Sequence, residues 1–374
     1  MGEGGGGKPL VVVAAGGTGG HLFPAEALSV ALARRGILID LATDERATRY
    51  GTEFPARATH VIPSATVRGR DPFSLARTTF FLGWGAASAY SLLGRLKPAA
   101  LIGFGGYPTI PPVLAATWRG IPTLIHEQNG VLGRANRFLS GRVRAIATSF
   151  PGVLNDQPQL KRKTTHTGNP VRSVVVAASA VPYSPTAASP LRLLVFGGSQ
   201  GARVMSDVVP SAIERLAGDL RARLRIEQQA RDEDIARVRG IYGRLGVQAD
   251  VAPFFPDLPA RMAQAHLVVS RSGASTVAEL AAIGRPAILV PLPHALDQDQ
   301  LANASVLERA GAAICVKQEA FSPDWLASEI VRLAAAPERL AAMAAGARSA
   351  GATDAAERLA DLVLKVAGLP NGRI

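Results

Sequence analysis

The chain alternates between short, mainly apolar runs and longer segments with helical spacing. Residues 10–15, 37–42, 99–104, 191–196 and 286–291 are too brief for core helices and lack polar alternation. Such runs predict strands buried on both faces of parallel sheets. Further strands are expected at 59–63, 122–126, 224–227 and 247–251, and at the start of the run from Val268. Helical patterns lie between them: 25–35, closed by Gly36, then 112–119, and finally 355–366 with Leu359, Leu362, Val363 and Val366 on one face. Strand–helix alternation over 374 residues predicts an α/β chain of two domains.

Glycines gather where the strands end. Gly16-Gly-Thr-Gly-Gly-His21 follows the first strand and opens a helix; Gly197-Gly-Ser-Gln-Gly-Ala-Arg203 does the same in the second half, after a Pro/Ser/Ala-rich connector at 181–190. The repetition predicts two Rossmann-like domains whose parallel sheets face across a cleft. The first turn lacks the third glycine of a dinucleotide fingerprint, yet its glycines imply close approach of a ligand to the backbone. His21, at the mouth of that turn, is placed either as a proton acceptor near neutral pH or as a helix-capping histidine.

The run Val268-Val-Ser-Arg-Ser-Gly-Ala-Ser-Thr-Val-Ala-Glu-Leu280 reads as strand, Gly/Ser turn and helix. A helix N-terminus with unpaired N–H groups favours phosphate. Glu279, one turn further, is placed to accept two hydrogen bonds from a sugar diol. Together they describe a nucleotide-diphosphate pocket; the plain alternative is an ordinary turn with a solvated Glu279. Asn129, in Glu127-Gln-Asn-Gly130, either grips a sugar hydroxyl or holds its turn. Asp297-Gln-Asp299 looks like a metal-binding D-x-D, but carboxylates near a helix start are expected without metal. One cysteine and six scattered histidines build no metal cluster.

Composition narrows the class. Hydrophobic residues make up 48% and charged residues 19%, which excludes a disordered chain. The single Cys315 excludes an internal disulfide and fits a reducing cytoplasm. The first eight residues have no apolar core and read as a flexible tail, not a signal peptide. The formal net charge of +12 is uneven: residues 1–172 hold 20 Lys/Arg against 9 Asp/Glu, and residues 173–374 hold 21 against 20. The first half therefore faces something anionic, nucleic acid or lipid. Residues 78–94 are free of charge, carry Phe80, Phe81 and Trp84, and are flanked by Arg77, Arg95 and Lys97. The stretch is too short and too rich in Gly and Ser to span a membrane. It is a core helix or a basic-rimmed apolar patch lying on an anionic bilayer, and the uneven charge favours the patch. No nucleic-acid motif accompanies the basic residues.

Taken in order, Gly16-Gly-Thr-Gly-Gly-His21, His126-Glu-Gln-Asn-Gly130, Gly168-Asn-Pro-Val-Arg172, Gly197-Gly-Ser-Gln-Gly-Ala202, Arg271-Ser-Gly273 with Glu279, and Asp299-Gln-Leu-Ala-Asn-Ala304 closely resemble the MurG family. The match runs from about residue 11 to about 367. Those bacterial transferases move GlcNAc from UDP-GlcNAc to undecaprenyl-pyrophosphoryl-MurNAc-pentapeptide, turning lipid I into lipid II for peptidoglycan. The resemblance implies a GT-B fold, no cofactor, and an inverting transfer to the C4 hydroxyl of MurNAc. It also implies peripheral attachment to the cytoplasmic face of the inner membrane, with cell-wall synthesis or division proteins as partners.

The domains expected on this basis are a tail at 1–8, an acceptor and membrane-facing domain at 9–172, a linker at 173–190, a UDP-GlcNAc domain at 191–352, and a last helix at 353–374 returning to the first domain. The resemblance places Thr18, Gly19, Gly20, Asn129, Arg172, Ser199, Phe255, Ala274, Ser275, Thr276, Val277, Ala278, Glu279 and Gln300 at UDP-GlcNAc. Within that set Ser199, Ser275 and Thr276 would stabilise the β-phosphate, Glu279 the ribose and Gln300 the GlcNAc hydroxyls. Phe255 would offer its backbone to uracil, and His21 would act as base or orient the acceptor. A UDP-sugar 2-epimerase of the same fold and a basic nucleic-acid-binding protein are the alternatives.

Overall fold

The computed structural model describes residues 8–16, 18–45, 54–64, 72–185, 190–198, 201–293, 295 and 298–371. The expected tail is thus described only at Lys8, and Ser199 and Asp297 lie outside the described residues.

The chain forms two compact units, residues 1–172 with 354–374, and residues 173–353. In the first, β1 (Leu10–Ala14), β2 (Leu38–Thr43), β3 (Ala58–Val61), β4 (Ala100–Gly103), β5 (Thr123–Glu127), β6 (Ala145–Thr148) and β7 (Thr164–His166) form one sheet, in the order β3-β2-β1-β4-β5-β6-β7. In the second, β8 (Leu191–Phe196), β9 (Leu224–Gln229), β10 (Gln248–Ala252), β11 (Leu267–Ser270), β12 (Ala287–Leu289) and β13 (Ala313–Cys315) run in the order β10-β9-β8-β11-β12-β13. Every pairing is parallel. β1, β4, β5, β6, β11 and β12 are buried throughout, as apolar runs without alternation require.

The strand order reverses between β1 and β4 in the first unit and between β8 and β11 in the second. At such switch points the loops leaving adjacent strands diverge and open a crevice for ligand. Both Gly-rich turns fall there, after β1 and after β8.

The helix expected from residue 25 begins earlier, at Gly19, and contains Pro24. Pro24 has no N–H to give the Gly20 carbonyl, so the helix runs through it with one ladder bond fewer. His21 therefore sits in the first helical turn. The charge-free stretch is the middle of a 25-residue helix, Pro72–Leu96. The expected linker starts as a helix, Ser173–Ala178, packed on the Leu258–Gln264 and Ala274–Ile283 helices. Val181 and Tyr183 are also tied to the second unit: Arg285 donates to the Val181 carbonyl at 3.0 Å, and Tyr183 to that of His266 at 2.8 Å. The Ala355–Ala367 helix lays Leu359, Val363 and Leu364 into the first unit's core, with Arg35 paired to its Glu357 and Asp361.

Candidate active site

In the first unit, Thr18 caps the Gly19–Arg34 helix with extended backbone, and its carbonyl accepts from His21 and Leu22 N–H. Gly19 lies so close to the Phe23 ring that a Cβ would stand 3.1 Å from it. The His21 imidazole rests against the turn after β4, where Gly105 and Gly106 have φ of +82° and +75°. A Cβ on Gly106 would lie 3.3 Å from His21 Cε1, so glycine there serves both the backbone and the ring. The arrangement brings Thr18, Gly19, Gly20 and His21 together at the switch point.

Glu127, at the end of β5, is 1% exposed, and its two carboxylate oxygens accept four N–H groups. These are Asn129 N at 3.0 Å, Asn129 Nδ2 at 3.1 Å, Gly133 N at 2.9 Å and Asn136 Nδ2 at 2.8 Å. Burial pushes its carboxyl above the ordinary range, although the four donors pull the other way. The loop that presents Asn129 is thus built around Glu127. His126 is wholly buried and held at both nitrogens: Nε2 donates to Gly168 O at 3.1 Å and Nδ1 accepts from Gln128 Nε2 at 3.0 Å. Burial drives its pKa down to about 4, so it is neutral at pH 7. It links the Glu127 loop to the Gly168 turn, beyond which Arg172 lies over the Phe23 ring at 4.0 Å. Glu127, His126 and Asn136 hold these two loops through contacts that their sequence pattern does not reveal.

In the second unit, Gly273 caps the Ala274–Ile283 helix, which begins directly beyond β11. Ser275 and Thr276 occupy its first turn, and Ser275 Oγ is buried without a hydrogen-bond partner. Glu279 is one turn on and 7% exposed. Val277 is fully buried, so it offers a ligand nothing but backbone; Ala274 is also buried and Ala278 half-buried.

A set of locks fixes the neighbouring turn. Arg271 donates to the carbonyls of Val290 and Pro291, both at 3.1 Å, and to Gln318 Oε1 at 2.6 Å. Ser272 Oγ donates to Gln300 O at 2.8 Å, and Asn303 Nδ2 to Ser272 O at 3.1 Å. The Gln300 carboxamide oxygen accepts Leu292 N–H at 3.0 Å, which orients its amide nitrogen as the donor. Asp299 receives the N–H of Gln300 at 2.7 Å, ordinary behaviour for an acid at the start of the Asp299–Arg309 helix.

Phe255 is the residue expected to offer its backbone to uracil. The ring is 5% exposed and lies beneath Arg261, whose guanidinium is 4.2 Å from its centroid, so only the backbone could meet a ligand.

The Pro72–Leu96 helix buries Ala86, Ala89 and Leu93 and leaves Phe80 66% and Trp84 61% exposed. Arg77 is exposed one turn before Phe80, Arg95 and Lys97 are exposed at the other end of the helix, and Phe81 is half-buried with Arg77 over its ring. Tyr90 of the same stretch lies under Arg119 at 3.8 Å, and Trp118, which sequence spacing did not single out, is exposed. No helix among the described residues is long and apolar enough to cross a membrane.

The family models for the Glycosyltransferase family 28 N-terminal and C-terminal domains match residues 11–148 and 192–359. Two Rossmann-like units, each with a Gly-rich turn at its switch point, and these matches define the class: a glycosyltransferase of the GT-B fold. A relative from Rhodopseudomonas palustris (strain BisA53), named UDP-N-acetylglucosamine--N-acetylmuramyl-(pentapeptide) pyrophosphoryl-undecaprenol N-acetylglucosamine transferase, is 64% identical over 97% of each chain. The crystal structure of Acinetobacter baumannii MurG is 30% identical, with a TM-score of 0.78 over 96% of this chain and 100% of that one. The chain belongs to the MurG family. A UDP-GlcNAc 2-epimerase from Neisseria meningitidis is similar at a TM-score of 0.68 over 95% of this chain and 100% of its own, but at 14% identity it shows the fold alone.

Proposed function

We propose that this chain transfers GlcNAc from UDP-GlcNAc to the C4 hydroxyl of MurNAc in undecaprenyl-pyrophosphoryl-MurNAc-pentapeptide, producing lipid II for peptidoglycan. The second unit holds the donor and the first the acceptor. The observation that carries the donor site is the start of the Ala274–Ile283 helix at the β8/β11 switch point, with the buried, unpartnered hydroxyl of Ser275 in its first turn. That hydroxyl and the helix dipole suit a diphosphate.

The acceptor oxygen attacks the anomeric carbon as the bond from that carbon to the β-phosphate oxygen breaks. UDP leaves with the electron pair, the configuration inverts, and His21 takes the hydroxyl proton. Negative charge grows on the β-phosphate, where Ser275, Thr276 and the helix start stabilise it, together with Ser199. Glu279 accepts from the ribose hydroxyls and Gln300 donates to the GlcNAc hydroxyls; the Phe255 backbone meets uracil. Thr18, Gly19, Gly20, Asn129 and Arg172 complete the contacts to UDP-GlcNAc.

The exposed Phe80 and Trp84, with Arg77 beside them and Arg95 and Lys97 exposed at the other end of the helix, support docking on an anionic bilayer, where the lipid acceptor resides. This is the cytoplasmic face of the bacterial inner membrane, shared with cell-wall synthesis and division proteins.

The test is GlcNAc transfer from labelled UDP-GlcNAc to a short-chain lipid I analogue, with and without EDTA. Transfer that persists in EDTA supports the proposal, and transfer lost in EDTA overturns the helix-based mechanism in favour of Asp297 and Asp299 as metal ligands. UDP release without transfer turns the reading to a 2-epimerase.

A further inference from the structure

The order β10-β9-β8 sets the C-terminal end of β9 between the loops that leave β8 and β10. Gln229 is the last residue of β9 and is 6% exposed. Its carboxamide reaches both ways. Oε1 accepts Gly197 N–H at 2.9 Å, while Nε2 donates to Gly198 O at 3.0 Å and Pro253 O at 3.1 Å. One acceptor and two donors on a single planar group is a carboxamide's inventory; a carboxylate keeps the first bond and sets negative charge against two carbonyls. Asparagine is one methylene too short.

The turn being held is already tight. Gly198 has φ +91°, its carbonyl also accepts Gly201 N–H at 3.1 Å, and the Ala202 backbone nitrogen would stand 2.2 Å from a Cβ on Gly197. We infer that Gln229 is a positioning residue for the donor. It fixes Gly197 and Gly198 at the end of β8 and the Pro253 segment after β10 in one arrangement, so that a nucleoside diphosphate meeting both finds them preformed. The inference rests on the donor-site reading above. Preorganisation of this kind lowers the cost of binding without touching the reacting atoms.

Gln229→Glu and the similarly shaped Gln229→Met, made in the full chain, test it. UDP affinity is read by titration calorimetry, and transfer kinetics are read with donor and acceptor varied separately. The expected result is a roughly ten-fold rise in both the UDP Kd and the UDP-GlcNAc KM, with kcat within about two-fold and the acceptor KM unchanged. A folded variant with unaltered UDP affinity, or one that loses kcat alone, overturns the inference. Hydrogen exchange of the unsubstituted protein adds an arm that no folding failure can spoil: the Gly197 amide is protected before nucleotide is added, and rapid exchange there refutes the preformed turn. If the unsubstituted protein binds no UDP, it is the donor-site reading that falls, and the inference falls with it.

Discussion

Thr18 Oγ1 lies 3.2 Å from His21 Nδ1, so the residue that caps the first helix also steers the imidazole three positions on. The Gly105–Gly106 turn backs the same ring. Cap, ring and turn thus form one assembly at the β1/β4 switch point.

If that assembly delivers a base, His21→Ala should lower kcat by about 100-fold or more, the usual size of a lost proton-transfer group. UDP affinity should stay within about two-fold, since only the transition state is affected. Steady-state kinetics beside UDP calorimetry check both halves. An unchanged turnover number would remove His21 from the chemistry.

Glu279 carries a different expectation. Glu279→Ala should weaken UDP binding by about ten- to a hundred-fold, the range for a buried hydrogen-bonding carboxylate, with a smaller change in kcat. Titration with UDP and with a 2′,3′-dideoxy analogue separates ribose from phosphate recognition. Equal losses for the two ligands would place Glu279 elsewhere.

Much of this site follows from local pattern, and some of it does not. Gly-rich turns after apolar runs are local signals, so the two switch-point turns and the start of the Ala274–Ile283 helix are readable before any contact is known. Glu127 is not, because its role depends on Asn136 nine positions later and on a backbone N–H of Gly133. A Glu-Gln-Asn-Gly string looks only like a turn. Gln229 is hidden for the same reason: its partners belong to two other strands' loops. β6 and β7 escape the pattern because four and three residues are too few to show a period. The Pro72–Leu96 helix reads short because Gly and Ser interrupt its apolar stripe, whereas packing on the Ile110–Trp118 helix sustains it.

Buried His126 makes stability depend on pH. Its pKa falls from 6.5 to about 4 on folding, so the unfolded chain binds more protons between those values. Its contribution is complete above pH 6.5 and is lost as the pH falls toward 4, by about 3 kcal/mol in total. Urea unfolding of the native chain and of His126→Gln at several pH values checks this. The variant should be less stable at pH 7.5 but lose less on acidification; parallel curves would contradict the assignment.

Exposed Phe80 and Trp84 pack against little of their own unit, so replacing both with Ser should leave the melting temperature unchanged. Co-sedimentation with phosphatidylglycerol vesicles should nevertheless drop about ten-fold, and raised salt should weaken binding of the native chain. Undiminished vesicle binding by the double variant would place the membrane surface on another face.

The Ala355–Ala367 helix completes a core begun by β1, yet all of residues 173–353 is synthesised before it. On the ribosome the first unit must therefore wait, its Leu359, Val363 and Leu364 seat open, while the second unit emerges with all its own strands. The unit that starts first is the one that finishes last, and the nascent chain spends that interval with an apolar groove exposed to chaperones.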